Sequence, residues 1–248
     1  MRILILGDSH IAAYRAALDG GYRGPDGVTF AFFGAPANRL SRLTLKDRVL
    51  GTTNTTIAEK LVKLWGASSF DLADIDLVAL VGLGSNARLL GPLYKAHRTD
   101  AMAEGDFLVS EDTFDLAVEG LLRASLFGRV VEILRAGDAP PVIGLPQPLP
   151  SPELLVQEPR NWIGTAISNG DGDRLRLAVE RAHTRLGLHA VIAQPEETLH
   201  APLLTRIELM QSGVRLNDSK EADDLSHANA DYAALVLDRM FAELGTPA

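Results

Sequence analysis

Four residues near the start of the chain, Gly7-Asp8-Ser9-His10, interrupt the apolar run Ile3 to Leu6 and lead into Ile11 to Leu18, which has helical spacing. A serine at the end of a buried strand and the mouth of a helix has its hydroxyl at a sheet edge beside backbone N–H groups, which suits a nucleophile. Serine is a weak nucleophile alone, needing a base within hydrogen-bond reach and a third group to orient that base. The sequence DDLSHAN near the other end offers both, since Asp224 precedes His227 by three residues. A carboxylate there can hold one imidazole nitrogen and leave the other for a serine. Between the two ends lies GLGSN, where Asn86 offers an amide donor. Acyl transfer needs donors aimed at a developing oxyanion. Asn86, the amide N–H of Ser9 and an amide N–H in the loop Gly34 to Asn38 would supply three.

Chemistry from such distant segments requires a scaffold that gathers them. Short runs rich in Val, Ile and Leu predict strands at Ile3 to Leu6, Val28 to Phe33, Leu77 to Val81, Val142 to Leu145 and Ala190 to Ala193. Between them, Ile11 to Leu18, Thr55 to Trp65, Thr113 to Arg135 and Asp173 to Leu186 carry apolar residues at three- and four-residue steps, as does the closing stretch Asp231 to Leu244. Continuously apolar strands alternating with helices predict an α/β fold, a doubly wound parallel sheet of about five strands covered on both faces. Ligands bind such sheets outside the carboxyl ends of the strands. The loops found there are GDSH, FGAPANRL, GLGSNARLLG and the proline-rich LPQPLPSP. The segments Pro92 to Asp112 and Pro146 to Gly170 are long for crossover loops, which suggests lids or binding walls.

At this point the chain resembles a family, the SGNH hydrolases, also called GDSL-type esterases and lipases. The resemblance rests on Gly7-Asp8-Ser9 after an N-terminal strand, Gly84-Ser85-Asn86 after the third strand, and Asp224-Leu225-Ser226-His227 before the last helix. It spans nearly the whole chain and implies one domain over residues 1–248 with a flavodoxin-like three-layer α/β/α fold. It also implies Ser9 as nucleophile, His227 as base, Asp224 as its orienter, and an oxyanion hole from Ser9, Gly34, Ala37 and Asn86. Three positions depart from the family pattern: Ala37 stands where an oxyanion glycine is usual, His10 where a leucine follows the serine, and Ala87 where an aspartate follows the asparagine. Alanine keeps the amide donor but resists the positive φ that glycine accepts.

Composition narrows the field further. A chain of 248 residues can bury a full core. Its net charge of −8 and pI near 5.2 oppose binding to a phosphodiester backbone. No apolar stretch reaches the roughly 18 residues of a membrane span, and the N-terminal run lacks a secretory cleavage pattern, so the sequence predicts a cytoplasmic protein. Without cysteine there is no disulfide, thiolate metal site or cysteine nucleophile.

The remaining candidates have plainer explanations. His97, His183, His189 and His200 lack ligand spacing and read as solvated or core histidines, so neither a metal nor another cofactor is expected. Asp223 competes with Asp224 as the acid. Trp162 could line a substrate pocket or anchor packing, and Arg39 and Arg88 could meet an anionic substrate or simply be solvated. Gly82 to Ala87 imitates the dinucleotide pattern Gly-x-Gly-x-x-Ala, but Gly91-Pro92 interrupts the helix that pattern requires. The expected activity is therefore hydrolysis of a small ester through an acyl-enzyme, with an O-acetylated carbohydrate as the preferred substrate. An O-acyltransferase with the same triad and a catalytically silent binding protein are the alternatives.

Overall fold

The computed structural model describes residues 1–214, 216 and 225–245, with the backbone alone at 37 and 38. Its centre is a parallel sheet of five strands: Arg2–Gly7, Thr29–Gly34, Leu77–Val81, Val142–Gly144 and Ala190–Val191. Counting these in chain order, they lie side by side as 2-1-3-4-5. This is the doubly wound, flavodoxin-like order, in which the winding reverses between the first and third strands. The expected α/β/α architecture is present, and the switch point falls where Ser9 and Asn86 leave the sheet.

Side-chain alternation sorts the first strand between two cores. Ile3 and Ile5 face the helices Ile11–Asp19 and Ala230–Glu243, packing with Tyr14, Tyr232, Val236 and Met240. Leu4 and Leu6 face the opposite layer, built on Thr55–Trp65, Glu111–Ala124, Leu126–Ala136 and Gly172–Thr184. Because both faces are covered, the strand reads as an unbroken apolar run in the sequence. Close strand approach explains two glycines at the functional edge. A Cβ on Gly7 would sit 2.2 Å from the Val81 carbonyl oxygen, and one on Gly34 would sit 2.0 Å from that of Gly7.

Several elements differ from the sequence expectation. The single helix expected from Thr113 to Arg135 is two helices broken at Ser125, which is extended (φ −65°, ψ 169°). Its hydroxyl donates to the Leu122 carbonyl at 2.6 Å and accepts the Gly128 N–H at 3.3 Å, ending one helix and capping the next. Apolar spacing runs straight through the break, so periodicity cannot register it. An antiparallel hairpin, Leu43–Lys46 with Val49–Thr52, was not expected. Its turn residues Asp47 and Arg48 both have positive φ without the glycine that usually marks such a turn.

The two long segments are also more ordered than loops. The helix Gly91–Ala96 runs into the segment Pro92 to Asp112, which also holds paired short strands at His97–Arg98 and Phe107–Leu108. Pro146 to Gly170 contains the helices Glu153–Gln157 and Trp162–Ser168. The fourth and fifth strands end earlier than expected, at Gly144 and Val191, although Leu145 and Ile192 still donate across the sheet. Among the described residues no helix is long and apolar enough to cross a membrane.

Candidate active site

Ser9 stands immediately beyond the first strand, half-buried, with its carbonyl accepting the Ala12 N–H as the first helix begins. Asp8 holds the turn that presents it. One carboxylate oxygen accepts the His10 N–H at 3.1 Å, and the other accepts the Leu83 N–H at 2.7 Å. This carboxylate thus ties the nucleophile turn to the loop after the third strand, and only 9% of Asp8 is exposed. The partner loop is built to receive it. Gly82, Leu83 and Gly84 all have left-handed backbones (φ 75°, 62° and 73°), and a Cβ on Gly82 would lie 2.2 Å from Asp8 Oδ1. Leu83 is the costly member, since such a backbone costs a side-chain-bearing residue about 1–2 kcal/mol. Asp8, Phe127 and the core hold it there: its carbonyl accepts the Phe127 N–H, and its side chain is buried.

His227 comes from the segment before the final helix. Two residues later, Asn229 caps that helix by accepting the Tyr232 N–H, while its amide donates to the carbonyls of Glu208 and Gln211. Leu225 is fastened from its carbonyl by the Ser151 N–H. The backbone around His227 is therefore held on both sides. Its Nε2 lies 2.6 Å from Ser9 Oγ, joining residues 218 positions apart. On its other nitrogen, Ser226 Oγ lies 3.3 Å from Nδ1. Asp224 and its competitor Asp223 lie outside the described residues.

Asn86 follows the third strand and is 8% exposed. Its carbonyl oxygen Oδ1 accepts the Arg88 N–H at 3.0 Å, and Nδ2 donates to the Pro148 carbonyl at 3.0 Å. An amide carries two N–H donors, so these bonds fix the plane of the group and leave one donor for a ligand. Ala37 opens the 3-10 helix Ala37–Arg42 after Pro36. That is a right-handed backbone that alanine adopts freely, so an alanine there carries no positive-φ penalty. Gly34 ends the second strand, paired with Gly7, and its carbonyl accepts the Trp65 indole N–H at 2.6 Å.

Two neighbouring side chains were not recognised as a unit in the sequence. His10 stacks on His227 with ring centroids 4.6 Å apart and planes 17° from parallel. Gln147, between two prolines after the fourth strand, accepts the Ser85 N–H through Oε1 at 3.0 Å and meets His10 Nε2 through its amide at 3.1 Å. Its position at a strand's carboxyl end was the available signal. Next to Asn86 and Gln147, a small hollow of about 60 Å³ is lined by Val179, His183, Ile192 and Gln194.

No family model matches the chain, and no curated protein matches it. Among the solved structures similar to it are two enzymes. One is the lipase Lip_vut3 from a goat rumen metagenome, at 10% identity and a TM-score of 0.37 over 98% of this chain and 96% of that one. The other is a carbohydrate esterase family 2 enzyme with a carbohydrate-binding domain from Corynascus thermopiles (Myceliophthora fergusii). It has 15% identity and a TM-score of 0.37, over 98% of this chain and 66% of that one. Likenesses this slight decide neither chain path nor chemistry, so the site must be read from its own side chains.

The other sequence candidates have structural surroundings of their own. Trp162 packs on Tyr94 at 5.7 Å and crowds Gly91, as a packing anchor does. Arg39 sits half-buried in the 3-10 helix and Arg88 is exposed. The Gly82 to Ala87 segment leads into the 3-10 helix Ala87–Leu90, not the α-helix a dinucleotide loop needs. His183 is half-buried and lines the hollow beside Asn86. It donates from Nδ1 to the Val179 carbonyl, sits edge-on to Phe127, and burial lowers its pKa to about 4.

Proposed function

We propose that the protein is a serine ester hydrolase in which Ser9 is the nucleophile and His227 the general base. The observation that supports this most is the 2.6 Å approach of Ser9 Oγ to His227 Nε2, at the carboxyl edge of a doubly wound sheet. Ser9 Oγ attacks the ester carbonyl carbon as its proton passes to His227 Nε2. The carbonyl oxygen becomes an oxyanion received by the free N–H of Asn86 and the backbone N–H groups of Ser9 and Ala37. Collapse breaks the ester C–O bond, and the imidazolium returns its proton to the departing alkoxide. Water then attacks the acyl-enzyme with its proton taken by the same nitrogen, releasing the acid and restoring Ser9. Asp224, three residues before His227, is assigned the orienting role at Nδ1.

The substrate class we assign is a small ester, with an O-acetylated carbohydrate as the preferred case. The hollow beside Asn86 is lined by apolar side chains such as Leu145, Val179 and Ile192, which suits a short acyl group. A fluorophosphonate probe, followed by peptide mapping, tests the nucleophile directly. Labelling at Ser9, together with loss of p-nitrophenyl acetate hydrolysis in a folded Ser9→Ala variant, is the expected result. A Ser9→Ala protein that turns over the ester at the wild-type rate refutes the assignment.

A further inference from the structure

We propose that His10 is a positioning residue for His227, held neutral as its Nδ1–H tautomer by Gln147. This rests on the ester hydrolase reading above, in which His227 becomes an imidazolium once per acyl transfer.

The tautomer follows from donor bookkeeping. The Ser85 backbone N–H can only donate, so the Gln147 atom facing it at 3.0 Å must be the carbonyl oxygen. The amide –NH₂ therefore points at His10 Nε2, 3.1 Å away. An –NH₂ donor requires an acceptor, so Nε2 carries no proton and the single proton of the neutral ring is on Nδ1. Protonating Nε2 would set two donors against each other. The ring is also confined sterically. His10 is 7% exposed, its backbone N–H is held by Asp8, and a Cβ on Gly82 would lie 2.9 Å from its Cδ2.

The stack carries this to the base. At 4.6 Å and 17°, His10 covers one face of the His227 ring and fixes the plane in which Nε2 meets Ser9. A neutral aromatic face attracts a cation, whereas a cationic one would repel it, so neutrality at His10 favours the imidazolium formed during catalysis. Two titratable groups facing His10 are His227 across the stack and Asp8 from its own turn. Leucine, the residue the family pattern places here, would fill volume without supplying that face. Gln147 also links the base to the oxyanion loop, because Ser85 precedes Asn86.

Nitrogen-15 spectra of the full chain labelled at histidine test the tautomer without any turnover, the His10 signals being assigned by their loss in His10→Gln. The expected wild-type pattern near pH 7 is a neutral ring protonated at Nδ1; an Nε2-protonated or cationic ring overturns the proposal. Gln147→Glu replaces the donor with a carboxylate, which accepts from a proton-bearing Nε2 and should leave His10 protonated at both nitrogens, a cationic face toward His227. The same variant should lower kcat about tenfold, the size of a desolvated cation–aromatic contact, with KM within about twofold. His10→Leu should lose a similar factor in kcat despite filling the space. A cationic His10 in Gln147→Glu with kcat unchanged, or full activity in His10→Leu, overturns the positioning role. Fluorophosphonate labelling of the wild type separates the two ideas. Labelled Ser9 with the wrong His10 tautomer sinks this proposal alone, whereas unlabelled Ser9 removes the hydrolase reading and the reaction His10 would serve.

Discussion

Replacing Asn86 separates a catalytic donor from a structural cap, because this side chain is placed to do both jobs. In Asn86→Ala the oxyanion loses its side-chain donor, which costs about 10²- to 10³-fold in kcat. Two structural losses accompany it. The Arg88 N–H loses its Oδ1 acceptor, worth about 1 kcal/mol as a cap, and the buried Pro148 carbonyl loses its donor, worth about 1–3 kcal/mol. Together these amount to about 2–4 kcal/mol of stability, or a fall in Tm of about 5–15 °C for a chain of this size. Asn86→Asp resolves the two effects. It keeps an acceptor for the Arg88 N–H but has no donor for either the oxyanion or Pro148. Steady-state kinetics on p-nitrophenyl acetate at 25 °C, beside thermal melts, would measure both. The expected result is a loss of kcat in both variants well beyond what their stability explains, since a protein that is folded at 25 °C loses no sites. If Asn86→Ala melts earlier but keeps kcat within about threefold of wild type, Asn86 is only a cap and the oxyanion assignment fails.

Two further outcomes follow from the same geometry. Asp224→Asn should cost on the order of 10⁴-fold in kcat by favouring the wrong imidazole tautomer, while Asp223→Asn should cost little; the reverse order would move the orienting role to Asp223. If neither matters and Ser226→Ala does, the hydroxyl 3.3 Å from Nδ1 holds the base instead. His183 gives a pH signature in stability. Burial depresses its folded pKa from 6.5 to about 4, so between those values the unfolded chain binds a proton that the folded one does not. Its contribution is complete above pH 6.5 and is lost as pH falls toward 4. Urea titrations should show about 1–2 kcal/mol of this loss between pH 7 and pH 5. His183→Phe should flatten that slope, and an unchanged slope would refute the assignment.

The scaffold and the places where chemistry can sit are legible in the residue pattern alone. Unbroken apolar strands, such as Ile3 to Leu6 and Leu77 to Val81, report burial on both faces, and helical spacing between them reports crossovers. Gly7-Asp8-Ser9 and the Gly82 to Asn86 segment were legible because strand-to-loop transitions are local events marked by local residue types. Non-local relations were not legible. The break at Ser125 is hidden by apolar spacing that continues through it, and the hairpin turn at Asp47 and Arg48 lacks its usual glycine.

At the site, the sequence offered Ser9 and His227 as candidates, but nothing in their order fixes a 2.6 Å contact across 218 residues. Only the tertiary structure decided that His10 stacks on His227 and that Gln147 faces both His10 and Ser85. Hydrogen bonds and ring stacking depend on direction as well as residue type. Those directions are set by how the ends of separate strands are held against one another, by Gly7 and Gly34 approaching without side chains and by Asp8 bonded to Leu83.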